Sequence, residues 1–308
     1  MSEILVDPII FVSLAFGAIR SMIPLLLGSV GEVALERSGL INMGIEGIML
    51  MSAFASAYGS WTTGNPLIGL VYGVVVGAVL GLLYGYLSIK LRADQVVMGL
   101  GLTTFSLGLT EVLTVAVWTT YGYGKSVARM PSLLTITFGN LAYEVSAFLP
   151  LSLAIALGAY YVLYKTKYGL MIRSCGENAL AADAAGIDVP MVRYLVSIFA
   201  GILFGLAGTY IAIDWNNIFI RGMTGGRGWV SIALVIFSGW NPLAAIGGSV
   251  LFGFFDTLQY WVAASLGASL LPAQVPRMIP YVVTVMALAA FGKRVRGPAE
   301  AGKPYVKE

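Results

Sequence analysis

Long apolar runs separated by short polar joints dominate this chain. They fall at roughly 8–28, 43–61, 67–89, 95–117, 147–164, 194–213, 228–239, 243–264 and 278–292. A helix rising 1.5 Å per residue needs about 20 such residues to cross the ~30 Å hydrocarbon core of a bilayer. The run at 228–239 is too short for that. It reads as a half-helix or re-entrant piece, or as a helix that begins earlier, near Met223. A membrane barrel shows short alternating segments instead. The pattern predicts an all-α, polytopic membrane bundle of about nine segments (eight to ten), in a single transmembrane domain over residues 1–308.

One polar joint differs from the rest. "SCGENALAADAAGIDVP", 174–190, is small, polar and acidic. It predicts a short water-facing helix opened by Gly176 and Glu177, with Glu177 at its positive end. Alanine favours the helix. Gly186 sits where a left-handed cap ends it, Asp188 caps the next helix, and Pro190 occupies its first turn. The alanine face is small and flat, which suits close docking of another protein. An inert connector is the competing reading.

Composition narrows the chemistry. Of the 308 residues 58% are hydrophobic and 11% charged, against about 25% charged in soluble domains. With no histidine and one cysteine, Cys175, an internal disulfide and a histidine-activated nucleophile are excluded. Ordinary zinc, haem and copper sites are nearly so. The sequence predicts no cofactor bound by this chain. A net charge of +3 is too small to point to nucleic acid. "MSEILVDP" lacks the basic start of a cleavable signal, so the first run is expected to stay as a membrane helix. The chain carries no G-x-x-x-x-G-K-[ST] motif, so it is not expected to hydrolyse ATP by itself.

Basic residues orient the bundle. One face collects Arg37, Lys90, Arg92, Lys165, Lys167, Arg173, Arg193, Lys293, Arg294, Arg296, Lys303 and Lys307; the other collects Lys125, Arg129, Arg221, Arg227 and Arg277. The richer face is expected in the cytoplasm of the cell membrane, with the loop 165–193 and the tail 293–308. The tail's Lys and Arg are expected to attract anionic lipid headgroups. Nine segments would put the N-terminus outside.

Two stretches echo each other. One starts at Gly44 and the other at Gly225. Each has G-x-x-G, an apolar run, an Asn-Pro-Leu break (Asn65-Pro66, Asn241-Pro242) and a second glycine-rich helix. The charge pattern puts the two G-x-x-G elements on opposite faces, as in the inverted repeats of transporters. Gly69, Gly73, Gly77, Gly81 and Gly85 form a stripe that predicts a tightly packed helical neighbour. Charges are expensive within a bilayer. Arg20, Glu46, Glu111 and Asp256 are therefore singled out. Glu46, Glu111, Asp256, Asn42 and Gln259 are candidates to line a solute route; interfacial placement, a pair with Arg20 or plain interhelical hydrogen bonds are the alternatives. Thr103, Thr104, Ser106 and Ser231 add hydroxyls. Scattered carboxylates without histidine make a poor proton relay, so energy is expected from another chain.

"GENALAADAAGIDVPMVRYLVSIFAGILFGLAG" resembles the cytoplasmic coupling segment of ABC importer permeases. "ERSGLINMGIEGIMLMSAF" (36–54) and "GMTGGRGWVSIALVIFSGWNPL" (222–243) resemble two further blocks of the branch that carries branched-chain amino acids, simple sugars and nucleosides. They are closest to its nucleoside and sugar types. The resemblance covers nearly the whole chain. It implies an ATPase-coupling element at Glu177, Asn178, Ala182, Asp183 and Gly186. It also implies an ABC ATPase that uses ATP-Mg, a second homologous permease and an extracytoplasmic solute-binding protein or lipoprotein. Glu36, Arg37, Asn42 and Glu46 would brace the broken helix. A branched-chain amino acid permease and an ion-coupled secondary carrier are the rival readings; an intramembrane enzyme lacks a visible nucleophile–base pair.

Overall fold

The computed structural model describes residues 8–138, 141–270, 275–291 and 296–306. Lys293, Arg294, Lys307 and the start "MSEILVD" lie outside the described residues. Each apolar run is a helix: α1 (Pro8–Arg37), α2 (Ile45–Thr63), α3 (Pro66–Ile89), α4 (Gln95–Trp118), α5 (Phe148–Lys165), α8 (Val189–Tyr210), α9 (Arg227–Phe237), α10 (Pro242–Leu270) and α11 (Ile279–Phe291). The polar joint holds two more, α6 (Lys167–Glu177) and α7 (Ala179–Ala184). Among the described residues, five helical segments are long and apolar enough to cross a membrane: Ile10–Arg37, Pro66–Ile89, Gln95–Trp118, Phe148–Lys165 and Val189–Asn216. The first run does not stop near 28. It continues as helix to Arg37 and carries Glu32 and Glu36 into the interior.

Local chemistry sets several boundaries. Asn65 Oδ1 accepts from Leu67 N at 2.9 Å, and Asn241 Oδ1 accepts from Leu243 N at 2.9 Å. The two Asn-Pro steps thus cap α3 and α10 in the same way. Asp94 caps α4 by accepting from Val96 and Val97, and Asp188 caps α8 by accepting from Met191.

The 118–146 connection holds strands that the apolar pattern did not announce. β2 (Ser132–Phe138) pairs antiparallel with β3 (Leu141–Ser146), with Leu134 opposite Val145 and Ile136 opposite Tyr143. β1 (Tyr123–Ser126) pairs antiparallel with β4 (Ile218–Ile220). These strands mark one end of the bundle. Tyr143 stacks on Phe16 near the start of α1, with ring centroids 4.4 Å apart. The other end of α1 reaches the polar joint, where Arg37 pairs with Glu177 at 3.8 Å. The bundle therefore has a strand face and a basic face.

The echoed stretches share an architecture. α2 runs toward the strand face, where Ser60 Oγ donates to Ala128 O. α9 runs toward the basic face, where Trp240, just past its end, donates to Glu36. The two helices are antiparallel, as expected of an inverted pair. The expected placement of their glycine-rich starts on opposite faces is corrected: both starts meet inside the protein. With the helix that precedes each stretch counted in, the units are α1–α3 and α8–α10, and the last helix of each packs on the first of the other, α3 on α8 and α10 on α1.

The glycine stripe on α3 explains the first crossing. A Cβ on Gly77 would lie 2.4 Å from Gly201 O and 2.7 Å from Gly205 Cα. The tight neighbour expected from the stripe is α8. Overpacking of this kind costs about 1–3 kcal/mol or more. Gly77→Val should lower the melting temperature of the detergent-solubilised protein by several degrees. Gly101→Val, where an added Cβ meets nothing within 4 Å, should leave it unchanged.

Candidate functional site

Two helices begin where the inverted units meet. Ser231, one turn into α9, donates weakly to Leu25 O at 3.4 Å. Leu25 lies near the middle of the Ile10–Arg37 segment, about 18 Å from Arg37 at 1.5 Å per residue. Here Glu46, in the first turn of α2, reaches the start of α9. Its carboxylate accepts from Thr224 Oγ1 at 2.6 Å, Gly226 N at 2.7 Å and Gly228 N at 2.7 Å. Helix N-termini leave such N–H groups unpaired and carry partial positive charge. One carboxylate thus satisfies the opening of α9 while sitting at the positive end of α2. Gly228 makes room: a Cβ there would fall 2.5 Å from Glu46 N. Glu46 is interior rather than interfacial.

The loop that precedes α2 is held from below. Glu32 Oε1 accepts from Asn42 N at 2.7 Å, and Asn42 Oδ1 accepts from Gly44 N at 2.7 Å. Gln95 Oε1 accepts from Ile41 N at 2.8 Å, and the Tyr84 hydroxyl donates to Ile41 O. Glu36 Oε2 accepts from Trp240 Nε1 at 2.5 Å. The block of Glu36, Arg37, Asn42 and Glu46 does brace broken backbone. Asn42 serves the loop and does not line the cavity described next.

Beside the α9 start lies a cavity of about 590 Å³, bounded by α1, α9, α10 and α11. Asp256 and Gln259 line it. Asp256 pairs with Arg227 at 2.8 Å, and Gln259 Nε2 donates to Asp256 Oδ1 at 2.7 Å. Arg227 was assigned to an outer connection by its position in the sequence. It is instead the first residue of α9, with its side chain 7% exposed, and lies against the Trp215 ring at 4.6 Å. Glu111 stands apart on α4 and pairs with Arg221 at 2.9 Å; Arg221 lines the same cavity. The pairing of these acids with Arg20 is corrected: Arg20 donates to Trp215 O. Thr103, Thr104 and Ser231 bond back to carbonyls of their own helices. The structure therefore groups Asp256 and Gln259 in one cavity, places Glu46 behind its glycine wall, touches it with Glu111 through Arg221, and leaves Asn42 out.

At the basic face the expected single helix is two. Asn178 has extended backbone (φ −155°, ψ 96°) and breaks the segment; its Oδ1 accepts from Ala181 N at 2.9 Å. Glu177 therefore ends α6 rather than opening a helix, and pairs with Arg37. The alanine face is also turned the other way. Ala179 and Ala182 are each 3% exposed and pack with Cys175 and Val189, with Tyr305 against them. Asn178, Leu180, Ala181 and Ala184 face outward, while Asp183 is half-buried. Gly186 has φ +85°, the left-handed cap expected of it. Burial pushes the Cys175 thiol up, against a downward pull from Arg193, so the thiol stays protonated and unreactive.

The described part of the tail is bonded to the rest of the protein. Glu300 N donates to Gly176 O at 2.8 Å and Gly302 N to Gly39 O at 3.2 Å. Arg193, 2% exposed, donates to Ser38 O at 3.0 Å and to Lys303 O at 3.4 Å. The tail straps the start of the loop before α2 to the end of α6.

Residues 14–288 match the family described as the branched-chain amino acid transport system / permease component. This chain belongs to that family. It is 33% identical over 296 residues to the nucleoside ABC transporter permease protein NupC of Lactococcus lactis subsp. cremoris, an alignment covering 92% of this chain and 93% of the relative. It is 32% identical over 312 residues to the guanosine ABC transporter permease protein NupQ of Bacillus subtilis, again with 92% and 93% covered. A second guanosine permease protein of Bacillus subtilis, NupP, is 24% identical over 248 residues, 76% of this chain and 70% of that one. The chain is a multi-pass membrane protein and a permease subunit of an ABC transport system, which has an ATPase partner.

Residue-type reasoning missed Glu32, Arg227, Trp215 and Tyr260 in this permease. Glu32 was hidden by the early end given to the first run. Arg227 was counted with the outer connections, and no spacing rule ties it to Asp256.

Proposed function

We propose that this permease is a non-catalytic half of an ATP-driven nucleoside importer, paired with a second, homologous permease. The observation that carries the reading is the meeting of two half-helix starts at Glu46, midway between the faces and beside a polar cavity. Broken backbone at membrane depth is tolerated where it is buried in protein or lines a cavity, and transporters place solute sites there. The names of the full-length relatives support nucleosides over sugars. The presence of two similar guanosine permeases in Bacillus subtilis supports a heterodimer.

In this reading the basic face and the C-terminus are cytoplasmic, and a binding protein or lipoprotein delivers solute at the strand face. ATP-Mg is used by the ATPase alone. The ATPase docks on the outward side of α7 and the end of α6, moving the loop 165–193. Leu180, 52% exposed, is the largest apolar side chain on α7. Leu180→Glu should cut co-purification of the ATPase about tenfold, the scale of 1.4 kcal/mol, with membrane insertion intact. Unchanged co-purification would move the docking face elsewhere.

The function is tested with the permease pair, ATPase and binding protein in proteoliposomes. Tritiated adenosine and guanosine should accumulate only with ATP, resisting competition by leucine and ribose. Branched-chain amino acids are the second reading, favoured by the family's description. Leucine uptake without nucleoside uptake would establish it; uptake surviving without ATP would establish an ion-coupled carrier.

A further inference from the structure

The cavity beside α9 has more structure than a passage requires. A second space of about 300 Å³, lined by Trp215, Asn216, Ile220, Met223, Arg227 and Tyr260, adjoins the first. Arg227 and Tyr260 border both spaces. The hydrogen bonds around them are uneven. Arg227 Nη2 is committed to Asp256 and the Tyr260 hydroxyl, and Nη1 to the carbonyls of Met223 and Thr224. Its Nε is buried without a partner among the described residues. Gln259, which also lines the larger space, donates its amide nitrogen to Asp256. Buried polar groups are nearly always matched, so an orphan donor on the wall between two spaces points to a visitor.

The rings narrow its nature. Tyr260 is 55% and Tyr281 46% exposed on the cavity walls, and the Tyr281 hydroxyl is anchored on Gly225 O at 3.0 Å. The guanidinium of Arg227 has its counter-charge in Asp256 and that of Arg221 in Glu111, while Arg277 also lines the larger space. Flat rings stack on phenols whatever their sequence identity. An aliphatic side chain has no such face, and a free sugar offers only the C–H face of its ring, without π-stacking.

We infer that this divided cavity is a base-recognition subsite: it takes the planar heteroaromatic ring of a nucleoside between the Tyr260 and Tyr281 walls, with its polar edge toward Gln259 and Arg227. The inference rests on the nucleoside reading above and adds to it: the permease itself, and not only a binding protein, selects the solute.

The test uses the reconstituted complex and tritiated 8-azidoadenosine. Photolysis should label permease peptides that contain Tyr260 or Tyr281. Adenosine and adenine should protect, and ribose should not. Tyr260→Ala and Gln259→Leu should each reduce labelling roughly tenfold, the scale of one lost base–aromatic stack or edge contact. Tyr260→Phe should retain most of it. Label spread over other segments, or protection by ribose equal to that by adenine, overturns the subsite. Uptake of tritiated adenosine by the unmodified complex separates the two levels: with uptake present and labelling misplaced, only the subsite fails; with uptake absent, the nucleoside reading fails and the subsite with it.

Discussion

Glu46→Ala should abolish transport and markedly lower the amount of folded permease in the membrane. The carboxylate is the acceptor for the Thr224 hydroxyl and for two backbone N–H groups that open α9. Its loss leaves two buried donors and one part-buried donor without a partner. Each such orphan costs about 1–3 kcal/mol, against a total stability of about 5–15 kcal/mol for a typical protein. Because the same side chain joins the first turns of both half-helices, the damage falls on the contact between the inverted units. Glu46→Gln keeps the shape and one acceptor oxygen but turns an NH₂ toward a donor, so it should fall between alanine and the native residue. Nucleoside uptake and the melting temperature in detergent measure both effects. A Glu46→Ala protein with native uptake and native melting would show that the junction is held by packing alone.

Asp256→Asn should be nearly as damaging, through charge rather than unpaired dipoles. Arg227 is buried, and its guanidinium lies 2.8 Å from Asp256. Removing one partner of a buried pair strands the other charge, which costs about 3–5 kcal/mol. Arg227→Met strands the carboxylate instead. The combined Arg227→Met/Asp256→Asn variant leaves neither charge behind, so its loss of melting temperature should be smaller than the sum of the two single losses. Coupled neighbours show this departure from additivity by about 0.5–3 kcal/mol. Strict additivity in a double-mutant cycle would mean that the pair contributes nothing jointly. Transport should fail in all three variants, since the cavity wall is lost even where stability returns.

Much of the candidate site was legible as residue types and little of it as contacts. Asp256 and Gln259 stood out because polar groups are costly within an apolar run, and they line one cavity. Glu46 stood out for the same reason, but its position in the first turn of α2 fits a surface as well as an interior. Only its bonds to residues 224–228 decide between them. Glu111 and Asn42 carry the same local signal and do different work: one pairs with Arg221, the other pins a loop. The segment 174–190 was recognisable, yet its helix was placed one turn early, because the extended conformation of Asn178 has no signature distinct from an N-terminal helical position.

Sequence alone determined that each apolar run is a helix, and several of the caps between them. Apolar run length, the Asn-Pro caps at 65 and 241 and the left-handed Gly186 act within a few residues of chain, where steric and hydrogen-bonding rules are local. Tertiary structure alone decided which broken ends meet, that Arg227 is buried against Asp256, that Ala179 and Ala182 face inward, and that the tail bonds Gly176 and Gly39. Those facts depend on partners far away in the chain, such as Glu46 and Gly226. A buried donor will take any acceptor that packing delivers, so only the folded arrangement specifies which one it gets.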